Sequence, residues 1–361
     1  MAKILICTGI YPPQIGGPAQ YAKETADEFR RQGHKVKVLK YNLERKLPTL
    51  VRHELFFWRT LFYLWRMRGA GDSSDIGDMA DTDFVLALDT FSVGWPAVTA
   101  AKIAGKKILI RTGGDFLWES YVERTGDLIL LKDFYAKNRG NWNWKERIIF
   151  EITKWTLQNA SAVIFSTEWQ RKIFEQAYGL APGKNFIVEN FYGRKLTGGE
   201  LPTVARKNRT FIAGVRNLKW KNLERLKHAF EEAVRIEPTI NLDLSNAPYE
   251  QFLAKIQAAY AVILVSLGDI SPNMILDAIR ANTPFILTRE TGLYERLKDI
   301  GLFADPENIE DIKEKILYLA DVANYRIVKE KIENFNFTHS WGQICDEILA
   351  VAGKKTTEIF S

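Results

Sequence analysis

Two short segments of this sequence hold the residues best suited to chemistry. Residues 214–222, GVRNLKWKN, place two cations, Arg216 and Lys221, close together, and residues 266–284, SLGDISPNMILDAIRANTP, place two carboxylates, Asp269 and Asp277, with seven residues between them. Cations neutralise a diphosphate and carboxylates accept hydrogen bonds from hydroxyls; together these are the groups a sugar-nucleotide site requires. The local sequence says how the carboxylates would be held. Residues 260–266, YAVILVS, form a continuous apolar run that reads as a buried strand. Ser271 then has the character of a helix N-cap, and Pro272 that of a first helical residue, where its missing N–H costs nothing. The amides of Asn273, Met274 and Ile275 should therefore point out of the helix start, where an anion is favoured. Asp269 falls in the preceding loop and Asp277 in the second turn. A carboxylate beside a phosphate repels it, so both suit sugar hydroxyls better. The same pattern also describes a plain capped helix with acids near its N-terminus, which stabilise any helix.

The elements that must position these groups follow from length and periodicity. At 361 residues the chain exceeds the usual single-core size, and two domains of about 150–200 residues are expected. Strands alternate with helices twice over, the signature of α/β architecture. Residues 3–11 read as a strand, 18–32 as a helix with Gly33 beyond its end, and 35–42 as a second strand; 84–88, 107–111 and 162–166 continue the pattern. After residues 191–203, which hold several Gly, a Pro and little periodicity, strands recur at 210–215, 240–244, 260–266 and 284–288. The expected organisation is two doubly wound Rossmann-like domains, residues 1–191 and 192–335. An amphipathic helix and tail at 336–361 fits either domain. Residues 72–83, acidic and Gly/Ser-containing, read as a surface loop.

Charge narrows the class of partner. Residues 1–190 carry 27 Lys and Arg against 21 Asp and Glu, whereas residues 191–361 carry 23 of each, so the whole net charge of +6 lies in the first half. An anionic partner for that half is implied. Residues 45–68 concentrate the effect, with five Arg and one Lys among Phe56, Phe57, Trp58, Phe62 and Trp65. The segment suits a core helix whose arginines reach outward, and contact with an anionic membrane surface is compatible with that packing. No recognition motif or basic stripe accompanies the charge, which argues against nucleic acid. No apolar run approaches the roughly 18–20 residues of a spanning helix. The first strand follows the start of the chain without signal-peptide features, and Cys7 and Cys345 suggest neither a disulfide framework nor a metal spacing. A cytoplasmic protein is expected, peripheral on the inner face of the membrane if residues 45–68 meet lipid.

The ordered set of motifs resembles the retaining glycosyltransferases of family 4, which have the GT-B fold of two Rossmann-like domains facing a cleft. The resemblance covers nearly the whole chain. It begins with YPPQIGGPAQYA at residues 11–22 and GHKV at 33–36. It continues with RTGGDFLWE at 111–119, similar to a Gly-Asp-x-x-Trp-Glu variant, then GVRNLKWKN, the acid-x7-acid element of Asp269 and Asp277, and ANTPFILT with TGLYERL. Each motif is weak alone; their order and spacing together are specific. The resemblance implies roles. Arg216 and Lys221 would bind the donor diphosphate and stabilise charge on the departing nucleotide. Asp277 would accept from ribose hydroxyls and Asp269 from the transferred sugar, with Ser271, Pro272, Asn273 and Met274 close to the phosphates or sugar. Gly16 and Gly17 would let the N-terminal loop approach the donor. By themselves, the glycines also read as a tight turn and the two cations as solvated surface groups.

Two departures from the family pattern stand out. Both acidic positions are usually Glu and are Asp here, a loss of about an ångström of reach. Many members also place a His near the reacting sugar, whereas this chain has Arg111–Asp115 in that region, and its four His residues read as structural. Asp115 is the candidate for contacting sugar or acceptor, with a buried structural acid as the other reading. The resemblance implies transfer of a hexose-type sugar from a nucleotide diphosphate sugar to a hydroxyl acceptor, lipid-linked or an envelope precursor. The configuration would be retained, the leaving diphosphate would take the acceptor proton, and no metal or other cofactor would be needed. Three other classes are distinguishable. A nucleotide-sugar-binding protein would bind without turnover. An epimerase or phosphorylase would use the same fold for other chemistry. A dinucleotide oxidoreductase is disfavoured because the first strand lacks G-x-G-x-x-G and Asn42 stands where a ribose-binding acid is needed.

Overall fold

A computed structural model describes residues 1–14, 16–41, 46–66, 82–196, 209–213, 217–245 and 247–353. The chain opens with β1 (Lys3–Thr8), α1 (Gly17–Arg31), β2 (Lys35–Lys40), α2 (Thr49–Arg66), β3 (Phe84–Ala87), α3 (Gly94–Ile103) and β4 (Lys107–Arg111). Next come α4 (Phe116–Thr125), α5 (Leu131–Lys137), α6 (Trp144–Asn159), β5 (Ala162–Phe165), α7 (Glu168–Tyr178) and β6 (Asn185–Ile187). A second cycle runs through β7 (Arg209–Ile212), α8 (Leu223–Ile236), β8 (Ile240–Asp243), α9 (Tyr249–Ala258), β9 (Ala261–Leu264) and α10 (Asn273–Arg280). It finishes with β10 (Phe285–Thr288), α11 (Tyr294–Leu297), β11 (Leu302–Ala304), α12 (Ile309–Ala320), α13 (Val322–Glu333) and α14 (Trp341–Gly353).

Two compact units result. The first holds Met1–Gly114, Asn143–Asn190 and the stretch from Ser340; the second holds Asp115–Trp142 and Phe191–His339. In the first unit, six parallel strands run in the order β2-β1-β3-β4-β5-β6. In the second, five parallel strands run β11-β10-β9-β7-β8. Every residue of β3, β5, β9 and β10 is buried, which is why those strands appear in the sequence as unbroken apolar runs rather than alternating ones. The edge strands β6 and β11, with three residues each, escaped the sequence reading because so short a run has no periodicity. The first strand ends at Thr8 rather than residue 11, since the chain then leaves the sheet to form the loop into α1. Residues 72–81, and the part of 191–203 from 197 onward, lie outside the described residues.

A cut near residue 191 falls between the two sheets, and packing carries two further stretches across it. Residues 115–142 lie before the cut but pack with the second sheet. The closing helix α14 comes after it but belongs to the first unit. That helix starts one turn later than expected, at a capping box in which Ser340 N–H donates to Gln343 and Gln343 N–H to Ser340 Oγ. It lies on α1, where the Cys345 thiol meets Thr25 O, Trp341 stands edge-on to Tyr21 and Gln32 donates to Asp346. The residues just before it pair with the second unit, Tyr192 and His339 exchanging N–H···O bonds of 3.0 Å.

Within the first unit, α2 turns His53, Phe56, Thr60, Leu61 and Leu64 inward, so the core reading of residues 45–68 holds for one face of this helix. His53 is 1% exposed and stands edge-on to Phe91 and Trp95, at 5.1 and 5.7 Å between ring centres. Burial, with the Arg52 charge beside it, pushes its pKa down to about 4. The unfolded chain takes up this proton near pH 6.5 and the folded chain refuses it until about 4, so stability falls as pH drops through that window. A loss of up to about 3 kcal/mol from this group is expected between pH 6.5 and 4. The melting temperature of wild type should therefore fall relative to that of His53→Leu on acidification; parallel pH profiles would show that the ring charges freely in the fold.

Candidate active site

In the second sheet, β7 lies between β8, which follows it, and β9, which comes after that; the strand order reverses between β7 and β9. In open α/β sheets, ligands bind outside the carboxyl ends of the strands at such a reversal. The loops leaving β7 and β9 hold the segments singled out by sequence. Leaving β7, the chain makes a 3-10 turn at Lys219–Lys221 that ends at Asn222 in a left-handed conformation (φ 61°). The buried Asn222 side chain donates to Val265 O at 2.9 Å and Pro306 O at 2.8 Å, tying the first loop to the end of β9. Leu267 N–H donates to Trp220 O, a second tie.

These ties bring Lys221 and Asp269 together. Lys221 Nζ lies 2.7 Å from Asp269 Oδ2 and 4.0 Å above the Trp220 ring, and both charged side chains are only 13% exposed. Ser266 Oγ donates to the same oxygen at 2.9 Å. Asp269 is fixed through its backbone, donating to Glu290 O and accepting from Gly292 N–H. Among the described residues nothing donates to Asp269 Oδ1, and an ammonium has three N–H groups of which Asp269 takes one. The pair thus presents an acceptor oxygen and two cationic donors side by side. Arg216 lies outside the described residues.

Residues 115–142 buttress this corner. Trp118 is 1% exposed, packs on Trp220 with ring centres 5.5 Å apart and donates Nε1–H to Ile129 O. Lys219 N–H donates to Glu123, and Leu131 N–H to Leu267 O. Gly268 has no room for a side chain: a Cβ would sit 2.6 Å from Leu131 Cβ and 3.3 Å from the Trp118 ring. Asp115, offered by sequence as a sugar or acceptor contact, is 3% exposed and caps α4. Its Oδ1 accepts from Trp118 N–H at 3.0 Å and its Oδ2 from Tyr135 O–H at 2.6 Å. Burial raises its pKa, with hydrogen bonds from Tyr135 and from the Trp118 and Leu117 backbone opposing. Its burial, with both oxygens engaged by residues of the same unit, favours the structural reading of Asp115. The Asp-x-x-Trp spacing is then the spacing of a cap and the ring it positions.

The start of α10 differs from the sequence reading by one residue. Pro272 is the N-cap and Asn273 the first helical residue, because Ile275 N–H already closes a turn onto Pro272 O. Ile275 therefore offers no free amide. Those of Asn273 and Met274 have no acceptor among the described residues, and Ser271 Oγ is buried without a hydrogen-bond partner there. Asp277, 7% exposed, sits one turn on; its Oδ1 accepts from Arg280 at 2.9 Å and from Tyr249 O–H at 3.1 Å. Its pKa is raised by burial, with Arg280 opposing. Arg280 has a helical signal in the sequence, three residues after Asp277. Tyr249, the first residue of α9, lies 28 residues away and has none. A further ion pair, Lys132 with the buried Glu290, was also missed.

In the first unit, Gly16 caps α1 with φ 144°, a conformation that favours glycine, and its carbonyl accepts from Ala19 and Gln20 N–H. A Cβ there would meet only ordinary contacts, so the backbone angle rather than crowding selects glycine. Gly17 begins the helix and Pro18 lies in its first turn.

Residues 15–192 match Glycosyltransferase Family 4. The chain is thus similar to that family over just under half of its length. A comparison with curated proteins finds no match. Among solved structures, sucrose-phosphate synthase from Thermosynechococcus elongatus is similar over 97% of this chain and 98% of its own, at 12% identity and a TM-score of 0.65. HepE from Anabaena, in complex with UDP and glucose, is similar over 97% and 99%, at 13% identity and a TM-score of 0.62. WaaG, a glycosyltransferase involved in lipopolysaccharide biosynthesis, is similar over 98% and 100%, at 12% identity and a TM-score of 0.63. At such identities the likeness establishes the fold, which is GT-B. The family 4 match includes Asp115 and Trp118; Lys221 and Asp269 lie beyond it.

Proposed function

We propose that this protein transfers a sugar from a nucleoside diphosphate sugar to a hydroxyl acceptor with retention at the anomeric carbon. The observation that carries this reading is the Lys221–Asp269 pair at the strand reversal of the second sheet, with Asp269 Oδ1 accepting from none of the described residues. Lys221, joined by Arg216, binds the diphosphate and stabilises the charge that develops as the bond between the anomeric carbon and phosphate oxygen breaks. The amides of Asn273 and Met274 and the hydroxyl of Ser271 add donors for phosphate or sugar. Asp269 Oδ1 accepts from the transferred sugar, and Asp277 accepts from the ribose while Arg280 and Tyr249 hold it. Gly16 and Gly17 let the backbone of their loop approach the donor. Asp115 contributes by setting α4, and so Trp118, against Trp220. The acceptor oxygen bonds to the anomeric carbon and its proton passes to the departing diphosphate. The ammonium does the work that a metal ion does elsewhere, so activity is expected in a chelator.

The acceptor in this reading is a lipid-linked or envelope glycan precursor, supported by the basic first half of the chain and by the role of the neighbour WaaG. The reading is tested by incubating the protein with a nucleoside diphosphate sugar and a membrane-lipid extract, with EDTA present. Release of nucleoside diphosphate together with a product whose anomeric proton coupling matches that of the donor is expected. Inverted coupling would overturn retention, and binding without release would favour a nucleotide-sugar-binding protein.

A further inference from the structure

Helix α2 has two apolar faces, and among the described residues only one of them is buried. Opposite the buried His53–Phe56–Thr60 side, Val51, Leu55, Trp58, Phe62 and Trp65 follow one another at alternating four- and three-residue steps, which places them in one stripe. All five are exposed, with Trp58 at 55%, Phe62 at 60% and Trp65 at 51%. Along one flank of the stripe, Arg52 and Arg59 lie seven residues, two helical turns, apart, and Lys46 is exposed just before the helix. Glu54 is the sole acid of the helix. Arg52 lies over the Tyr41 ring and Arg59 donates to Lys40 O, so both guanidinium groups are held beside the stripe. Further along the same helical layer, α3 packs between α2 and α6, and α6 exposes Trp144 and Ile148.

We propose that the outer face of α2 docks on an anionic phospholipid surface. Indole and phenyl rings flanked by cations are suited to the boundary between headgroups and acyl chains. No described helix is long and apolar enough to cross a membrane, so α2 lies along the surface. The charge chooses lipid over a second copy of the chain. Twofold antiparallel pairing of two stripes would set the arginine row against itself, whereas acidic headgroups neutralise it.

The test is co-sedimentation of the full chain, without donor, with phosphatidylcholine vesicles and with vesicles containing about one-third phosphatidylglycerol at low salt. Partition onto the anionic vesicles should exceed that onto neutral ones by about tenfold or more, and Trp58→Ser/Phe62→Ser/Trp65→Ser should remove most of that excess. All three side chains are largely in solvent, so the variant should melt like wild type. If it does not, Trp58→Ser alone, with quenching of wild-type tryptophan emission by brominated anionic lipid, gives the same reading. Equal partition onto both vesicle types would overturn the proposal. So would a wild-type dimer that the variant converts to monomer in the absence of vesicle binding. Because no donor is present, failure here leaves the sugar-transfer reading untouched.

Discussion

Replacing Lys221 by Met is expected to lower sugar transfer by about 10²–10³-fold, with little change in fold. Methionine keeps a long apolar stem over the Trp220 ring and removes only the ammonium that lies 2.7 Å from Asp269. Asp269 keeps the Ser266 hydroxyl and its backbone hydrogen bonds, so it remains in place after its cation is gone. What disappears is positive charge next to the bond that breaks. A preorganised donor at developing charge in a partly buried site is typically worth about 2.7–4 kcal/mol of barrier. Turnover numbers for nucleoside diphosphate release, measured for wild type and variant at saturating donor, check this directly. A loss below about threefold would mean that the ammonium is no more than half of a structural ion pair.

Trp118→Ala should be the most destabilising single change in the second unit, at about 3–5 kcal/mol. The side chain is 1% exposed, gives up a hydrogen bond to Ile129 O, and is one wall of the space that excludes a Cβ at Gly268. Its loss also removes the ring against which Trp220 packs, so Lys221 should become mobile and donor affinity should fall with stability. Trp118→Phe, which retains ring contact but not the indole hydrogen bond, should recover more than half of the loss. Urea unfolding of the three proteins is the measurement. A Trp118→Ala cost below about 1 kcal/mol would mean that α4 is not holding the Lys221 turn.

Most of the fold could be read from the chain because several of its inner strands are fully buried. Runs such as AVIL in β9 and FILT in β10 have no polar interruption, and the Gly33 and Pro272 punctuation lies within a residue of the observed helix ends. The edge strands β6 and β11 were not legible because three residues have no periodicity, and the side taken by α14 was not because it depends on α1, far away in sequence. The two candidate motifs of the second half meet for similar reasons. Lys221 and Asp269 come from loops next to strands that pair, so two local motifs end in one ion pair. The shortened carboxylate still reaches its cation, because backbone hydrogen bonds to Glu290 and Gly292 bring the loop in. Asp115 carried two readings because a buried cap and a sugar-binding acid look alike in sequence; its partners, Trp118 N–H and Tyr135 O–H, favour the cap. Tyr249, a partner of Asp277 from 28 residues away, carries no local signal.

The most direct test of nucleotide-sugar binding at this corner is the melting temperature of wild type and Lys221→Met in the presence of UDP, GDP, ADP and their common sugar conjugates. A ligand at about 100 times its dissociation constant adds about 2.7 kcal/mol to the stability of the folded chain, a clear upward shift. The expected result is a shift with one nucleotide and its sugar conjugates that is lost or much reduced in Lys221→Met. No shift of the wild type with any of them, or an equal shift in the variant, would contradict a donor site built on Lys221 and Asp269.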